Sequence, residues 1–217
     1  MSDFAKLRKS MIRCQIEARG ISDPLILNAF REVPREAFVD EGQRQSAYQD
    51  QPLPIEAGQT ISQPYIVALM IEAAEISPGD VVLEVGSGSG YAAAVMSRIA
   101  RAVIGIERQH DLVGSARERL HRLGYDNVMI VEGDGTRGWP EHAPFDAILA
   151  AAAGSHVPTP LIDQLSPGGR LVMPIGEPAD VQDLIKVVKR HDGSLVEENL
   201  GGVRFVPLIG EEGWRED

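Results

Sequence analysis

Apolar positions along the chain fall into two regimes. Residues 3 to 19 carry Phe4, Leu7, Met11 and Cys14 at helical spacing, with Gly20 placed to end the helix. A second helix is expected from Asp23 as N-cap and Pro24 at its first position, through Ile26 and Phe30, closed by Pro34. Residues 40 to 59 show no period and contain Pro52, Pro54 and Gly58, which predicts a long ordered loop or edge segment. From residue 80 the pattern changes to strands alternating with helices. Strands are expected at 81–85, 102–106, 128–131, 145–150 and 170–173, and later at 184–189 and 195–206. Helices are expected over 91–99, along the Leu112, Ala116, Leu120, Leu123 stripe that ends at Gly124, and over 160–165. Strands separated by helices imply parallel βαβ units with right-handed crossovers. The expected fold is α/β: a Rossmann-like, doubly wound, mostly parallel sheet with an N-terminal helical extension. One domain over 1–217 is expected, with 1–79 forming a helical, cleft-building region and 80–217 the α/β core.

Composition narrows the field without changing that picture. With 217 residues, 43% hydrophobic and 24% charged, the chain has the make-up of an ordinary globular protein. No apolar run approaches the roughly 20 residues that span a bilayer. The start, Met1-Ser2-Asp3-Phe4-Ala5-Lys6, lacks the basic and apolar regions of a secretory signal, so none is expected. Cys14 is the only cysteine, which excludes an intrachain disulfide and leads to the expectation of a reducing cytoplasm. A formal charge of −11 argues against a nucleic-acid partner, because phosphate binding rests on Lys and Arg. Arg117, Arg119 and Arg122 cluster, but Glu118 interleaves them on what reads as a solvated helix face.

Candidate chemistry concentrates at the expected strand ends. The run Val82-Leu83-Glu84-Val85-Gly86-Ser87-Gly88-Ser89-Gly90 joins a strand to a helix through glycines, which lets backbone approach a ligand and aims free N–H groups at it. The dinucleotide fingerprint is G-x-G-x-x-G. Glycines at 86, 88 and 90, with Tyr91 where a third dinucleotide glycine would fall, favour a methyltransferase over an NAD enzyme. Glu107 closes the next strand, where a carboxylate can accept from both ribose hydroxyls; the plain alternative is an exposed acid at a strand end. Gly133-Asp134-Gly135 follows the third strand. Asp134 could accept from an adenine amino group or simply sit in a solvent turn. The five histidines (110, 121, 142, 156, 191) show no metal-ligand spacing, so no metal is expected, and His156 alone falls near the site.

These residues resemble the protein-L-isoaspartate O-methyltransferase family over nearly the whole chain. The blocks that carry the resemblance are 11–20, Val33-Pro34-Arg35 to Phe38-Val39, 48–55, 58–70, 82–91, 133–139, 164–176 and 203–208. Gly58-Gln59-Thr60-Ile61-Ser62-Gln63-Pro64-Tyr65 is the most family-specific of them. The resemblance implies S-adenosyl-L-methionine as cofactor, held by Glu84, Gly86, Ser87, Gly88, Gly90, Glu107, Asp134 and Gly135. It implies Ser62 as the active-site residue, with Thr60, Ile61, Tyr65 and Val206 toward the substrate. The implied partners are isoaspartyl-containing proteins and peptides, with neither nucleic acid nor membrane. A monomer is the default expectation, the oligomeric state not being legible in the residues. Two departures stand out: Ala151 replaces a threonine common after the family's fourth strand, and Glu56-Ala57 replaces a glycine-containing pair.

An isoaspartyl residue leaves an α-carboxylate free, and at an unperturbed pKa of roughly 3.3–3.7 it is already an anionic nucleophile at neutral pH. No strong base is needed. Pro64 suits the first turn of a helix through Tyr65, Val67, Ala68 and Met70, whose N-terminus would attract an anion. Ser62 would then donate to the substrate carboxylate, or else merely cap that helix. Three other functions stay open here: methylation of an aspartate in one dedicated peptide, cofactor binding without catalysis, and a dinucleotide oxidoreductase. Absence of an added recognition segment before Asp217 favours general repair over the first.

Overall fold

The computed structural model describes residues 3–215. The N-terminal helical run is composite. α1 (Asp3–Met11) passes into a π-helical turn, Ile12–Ile16, then a 3-10 turn, Glu17–Arg19, and stops at Gly20 with φ +100°. Asp23 caps α2 (Pro24–Glu32) as expected, its carboxylate accepting from Leu25 N at 2.7 Å. The aperiodic stretch after it is built of 3-10 turns and a short strand β1 (Leu53–Pro54), which pairs antiparallel with β2 (Thr60–Ile61). That hairpin was not legible as strand, because two residues are too short to show alternation. It leads directly into α3 (Pro64–Ala73).

The core then alternates: β3 (Val81–Val85), α4 (Tyr91–Met96), β4 (Ala102–Glu107), α5 (His110–Arg122), β5 (Val128–Glu132), β6 (Phe145–Ala150), α6 (Thr159–Asp163) and β7 (Leu165–Ile175). Two antiparallel strands follow, β8 (Gln182–Lys189) and β9 (Leu195–Val203). Sheet order is β5-β4-β3-β6-β7-β8-β9, with the first five parallel. The doubly wound, mostly parallel expectation holds, and the order of the late strands is new.

Boundaries differ where long-range pairing overrides local pattern. Helix was expected over 160–165, yet Leu165 opens β7, because it pairs with Phe145 of β6. The helix expected over 91–99 ends at Met96 and continues only as a turn. β9 stops at Val203, so Val206 belongs to an irregular strap rather than a strand.

The sheet separates two apolar layers. Val82 and Val103 face the larger one, which α4 and α5 share with the N-terminal helices; Leu83, Val85, Ile104 and Ile106 face the other. Tyr91 at the start of α4 joins the two regions, packing edge-on against Phe30 (6.3 Å) and Phe38 (5.5 Å). The far end of α3 is tied to the sheet. Arg170 donates to the carbonyls of Ala74 and Glu75 and to Asp80, and Lys186 pairs with Glu75 at 2.5 Å. Cations at a helix C-terminus suit its dipole, and they set where the N-terminus of α3 points. Among the described residues, no helix is long and apolar enough to cross a membrane.

Candidate active site

The strand order reverses between β3 and β6, and open α/β sheets bind ligands at the carboxyl ends of strands at such a point. A cleft of about 350 Å³ opens there. One wall is the glycine turn, Gly86–Ser89, with Tyr91 and Ala92. The opposite wall is Gly58–Ser62 with Val67. Glu84, Glu107 and Gly135 lie along the base, Ala151 and Ala152 at the β6 end, and the strap 206–209 closes one side.

The glycines here have distinct physical roles. Gly86 (φ +81°) and Gly88 (φ +52°) adopt conformations that side chains disfavour. Gly135 is needed for space, since a Cβ there would come 2.4 Å from Val85 Cγ1. Gly90 (φ +83°) does not line the cleft; its missing side chain admits Leu120 of α5, 3.1 Å from an added Cβ. Gly105 was not singled out by sequence, although it sets the same wall: an added Cβ would lie 2.2 Å from Ser87 Oγ. A glycine inside an apolar strand is the signal that could have found it.

Two carboxylates behave differently. Glu107 accepts from Gly88 N and Gln109 N, both at 2.9 Å, one on each oxygen, which leaves each oxygen a lone pair for an incoming hydroxyl. Glu84 is 2% exposed, and its Oε2 has no hydrogen-bond partner among the described residues. Burial pushes its carboxyl up to about 8, with the nearby Ser87 hydroxyl opposing the shift and the Glu107 charge adding to it. A buried carboxyl left unpartnered costs free energy. Oε2 could accept a hydrogen bond from a donor brought in by a ligand.

Asp134 is engaged elsewhere. Its Oδ1 accepts from Thr136 N (2.9 Å) and Thr136 Oγ1 (2.7 Å), and its Oδ2 from Glu211 N (2.8 Å). Burial raises its pKa, but the Glu211 and Thr136 donors together outweigh that and hold it below the usual carboxylate value. It lies outside the cleft lining and pins the C-terminal strap, whose Trp214 Nε1 also donates to Ala153 O at 2.9 Å.

Thr60, Ile61 and Ser62 line the cleft on the other wall, and Val206 lines it from the strap. Tyr65 does not line it; its ring carries the Arg19 guanidinium at 4.6 Å, and Arg19 in turn pairs with Asp50. Ser62 does not cap α3. The N-cap is Gln63, which makes no capping bond because its side chain donates to Asp50 at 2.7 Å. The Ser62 hydroxyl makes no hydrogen bond among the described residues, while its carbonyl accepts from Arg35 Nη2 at 2.8 Å. His156 lies on the surface, Nδ1 against Ser155 Oγ at 3.0 Å and Nε2 3.9 Å from Glu212. Arg119, expected on a solvated face, instead donates to Ser89 O (2.9 Å) and Glu56 (3.2 Å), linking the two cleft walls.

A sheet of this order, with a glycine turn, a strand-end carboxylate and an unpartnered buried acid around one cleft, defines an S-adenosylmethionine-dependent methyltransferase fold. The family model for protein-L-isoaspartate(D-aspartate) O-methyltransferase (PCMT) matches residues 6–213, and the chain belongs to that family. A relative from Pelobacter propionicus, protein-L-isoaspartate O-methyltransferase 2, is 58% identical over 207 residues, covering 95% of this chain and 92% of that protein. One from Methanoculleus marisnigri is 52% identical over 208 residues, covering 96% and 94%. Among solved structures, a protein-L-isoaspartate O-methyltransferase superposes with a TM-score of 0.85 at 34% identity; the match covers 96% of this chain and 66% of that one. A Plasmodium falciparum beta-aspartate methyltransferase (PCMT), in complex with S-adenosyl-L-homocysteine, gives 0.80 at 29% identity, covering 96% and 99%.

Proposed function

We propose that this protein methylates the free α-carboxylate of L-isoaspartyl residues in damaged proteins and peptides, using S-adenosyl-L-methionine. The observation that carries the reading is the cleft itself, which sets Thr60-Ile61-Ser62 against the Gly86–Ser89 turn and the unpartnered Glu84. The cofactor supplies an electrophilic methyl on a sulfonium. One C–S bond breaks as one C–O bond forms, both charges disappear, and no proton moves. The resulting methyl ester can be attacked by the neighbouring backbone amide nitrogen with loss of methanol, a far better leaving group than the oxide a carboxylate would have to expel, which opens the way to a succinimide and repair.

The chain's residues have three tasks. Glu84 receives the ammonium, Glu107 the ribose hydroxyls, and the turn from Gly86 to Gly88 lets both approach. Ser62, free of any capping role, donates to the substrate carboxylate near the N-terminus of α3. There Pro64 brings no N–H and the first-turn amides of Tyr65 and Ile66 lack intrahelical partners. The apolar side chains of Ile61, Val67, Val206 and Leu208 exclude water, which favours a transition state less charged than its reactants. Alignment of this kind can supply about 7–11 kcal/mol. Asp134 acts as the strap's anchor and keeps lone-pair capacity for an adenine amino group. Residues 1–79 serve the substrate side and 80–217 the cofactor side. The reading places the protein in a reducing cytoplasm, supported by the single unpaired Cys14.

The test is incorporation of labelled methyl into an isoaspartyl peptide, with its normal aspartyl isomer as control. Labelling of the isoaspartyl peptide alone is expected; equal labelling of both, or none, overturns the assignment. Ser62→Ala should lower kcat/KM about 10- to 100-fold, a hydrogen bond to a charged group being worth about 1.5–3 kcal/mol. Cofactor affinity should stay nearly unchanged. Full turnover by that variant would remove Ser62 from the mechanism.

A further inference from the structure

Arg35 is fully buried, yet it has no carboxylate partner among the described residues. Its Nε donates to Ala47 O at 2.7 Å and its Nη2 to Ser62 O at 2.8 Å. The guanidinium lies over the Tyr91 ring at 4.8 Å, and Tyr91 is part of the cleft wall facing Ser62. Among the described residues, Arg35 Nη1 and Tyr91 Oη make no hydrogen bond of normal geometry, and the two groups interact with each other across this contact. An unpaired buried cation is costly. Simple filling of the core does not account for it, because an apolar side chain would occupy the space without that cost. What the charge accomplishes is specific: three segments distant in sequence, the turn at 35–37, the chain at 47 and the β2–α3 junction at 62, converge on one planar group. Two rigid donors on that group hold two carbonyls at once, and a charge-assisted bond is the stronger kind.

We propose that Arg35 is a positioning residue for methyl transfer: by gripping the Ser62 carbonyl from behind and stacking on Tyr91, it sets the distance between the two cleft walls and aims the Ser62 hydroxyl at the substrate carboxylate. Ser62 sits between β2 and α3, a junction whose own hairpin is only two residues per strand. Its carbonyl is held by Arg35, while its hydroxyl makes no hydrogen bond among the described residues. Loss of the grip lets this junction drift, and a misplacement of about 1 Å can cost on the order of 100-fold in rate. Cofactor contacts at Glu84, Glu107 and Gly86 lie on other elements and do not depend on it. This inference rests on the reading of Ser62 as the substrate's donor.

The experiment compares Arg35→Gln and Arg35→Lys with wild type in three measurements: kcat and KM on an isoaspartyl peptide, calorimetric Kd for S-adenosyl-L-homocysteine, and melting temperature. Both variants are also combined with Ser62→Ala. Expected are a fall in kcat/KM of about 100-fold for Arg35→Gln, a smaller fall for Arg35→Lys, which keeps the charge and one donor, and a cofactor Kd within about twofold. In the double variants the two losses should not multiply, since both act through one hydroxyl. Turnover within about threefold of wild type, losses that multiply, cofactor affinity that falls in parallel, or failure of both variants to fold would each overturn the proposal. Full activity of Ser62→Ala alone would instead refute the Ser62 reading, and that outcome is read independently of either Arg35 variant.

Discussion

Glu84 offers the sharpest quantitative test, because its environment couples cofactor binding, proton release and stability. Its carboxyl is raised from 4.5 to about 8, mainly by burial. At pH 7 about nine in ten Glu84 side chains therefore hold a proton in the free protein. An ammonium arriving at Oε2 favours the ionised form, so binding expels that proton. The apparent affinity for S-adenosyl-L-homocysteine should tighten about eightfold from about pH 6.5 to 7.5, by the change in ionised fraction. Calorimetry in buffers of different ionisation enthalpy should show close to one proton released per cofactor at pH 7. Stability moves the opposite way. A carboxyl whose folded pKa lies above its unfolded value contributes most below the unfolded pKa and loses that contribution as pH rises through the folded one. Between pH 4.5 and about 8 the protein should lose up to about 1.4 kcal/mol per pH unit from this group. Glu84→Gln should flatten both profiles and weaken cofactor binding, while leaving the free protein no less stable at pH 7. Proton-neutral binding, or a Glu84→Gln variant with wild-type affinity, would refute the assignment of the ammonium to Glu84.

Two further outcomes test the walls of the cleft. Gly105→Ala places a methyl 2.2 Å from Ser87 Oγ and 2.7 Å from Ile130 Cδ1. Overpacking should cost about 1–3 kcal/mol and weaken cofactor binding through Ser87; an unchanged melting temperature would contradict it. Asp134→Asn removes the carboxylate that holds Thr136 and Glu211, and should cost about 1 kcal/mol. Amide hydrogen exchange across residues 208–214 should rise at the same time, and unchanged protection there would show that the strap is anchored elsewhere.

The chain wrote its local features plainly. Asp23 and Pro24 start a helix as capping chemistry requires, Gly20 ends one at a positive φ, and Gly86 and Gly88 turn from strand to helix where only glycine is at ease. Glu107 was legible as a strand-end carboxylate for the same reason. These are properties of a few consecutive residues, so pattern and propensity suffice.

What the tertiary structure alone decided involves residues far apart in sequence. Whether Asp134 faces a ligand or a strap depends on Glu211, 77 residues away. Leu165 belongs to a strand because Phe145 lies beside it, whatever its own helical context. Ser62 could have capped α3, but in the fold the N-cap residue is Gln63, whose amide is taken by Asp50, and Ser62 is held by its carbonyl on Arg35. Arg119 reads as part of a solvated helix face, yet folding draws it against Ser89 and Glu56, and Arg35, whose burial no local pattern announces, ends fully enclosed. Burial, and with it the charge state of Glu84, is set by which distant surfaces close over a residue. The sequence by itself thus determined the elements and the cofactor turn, whose interactions are short-range. Packing determined which polar groups were left unpartnered, Glu84 among them, because a partner or its absence depends on surfaces far apart in sequence.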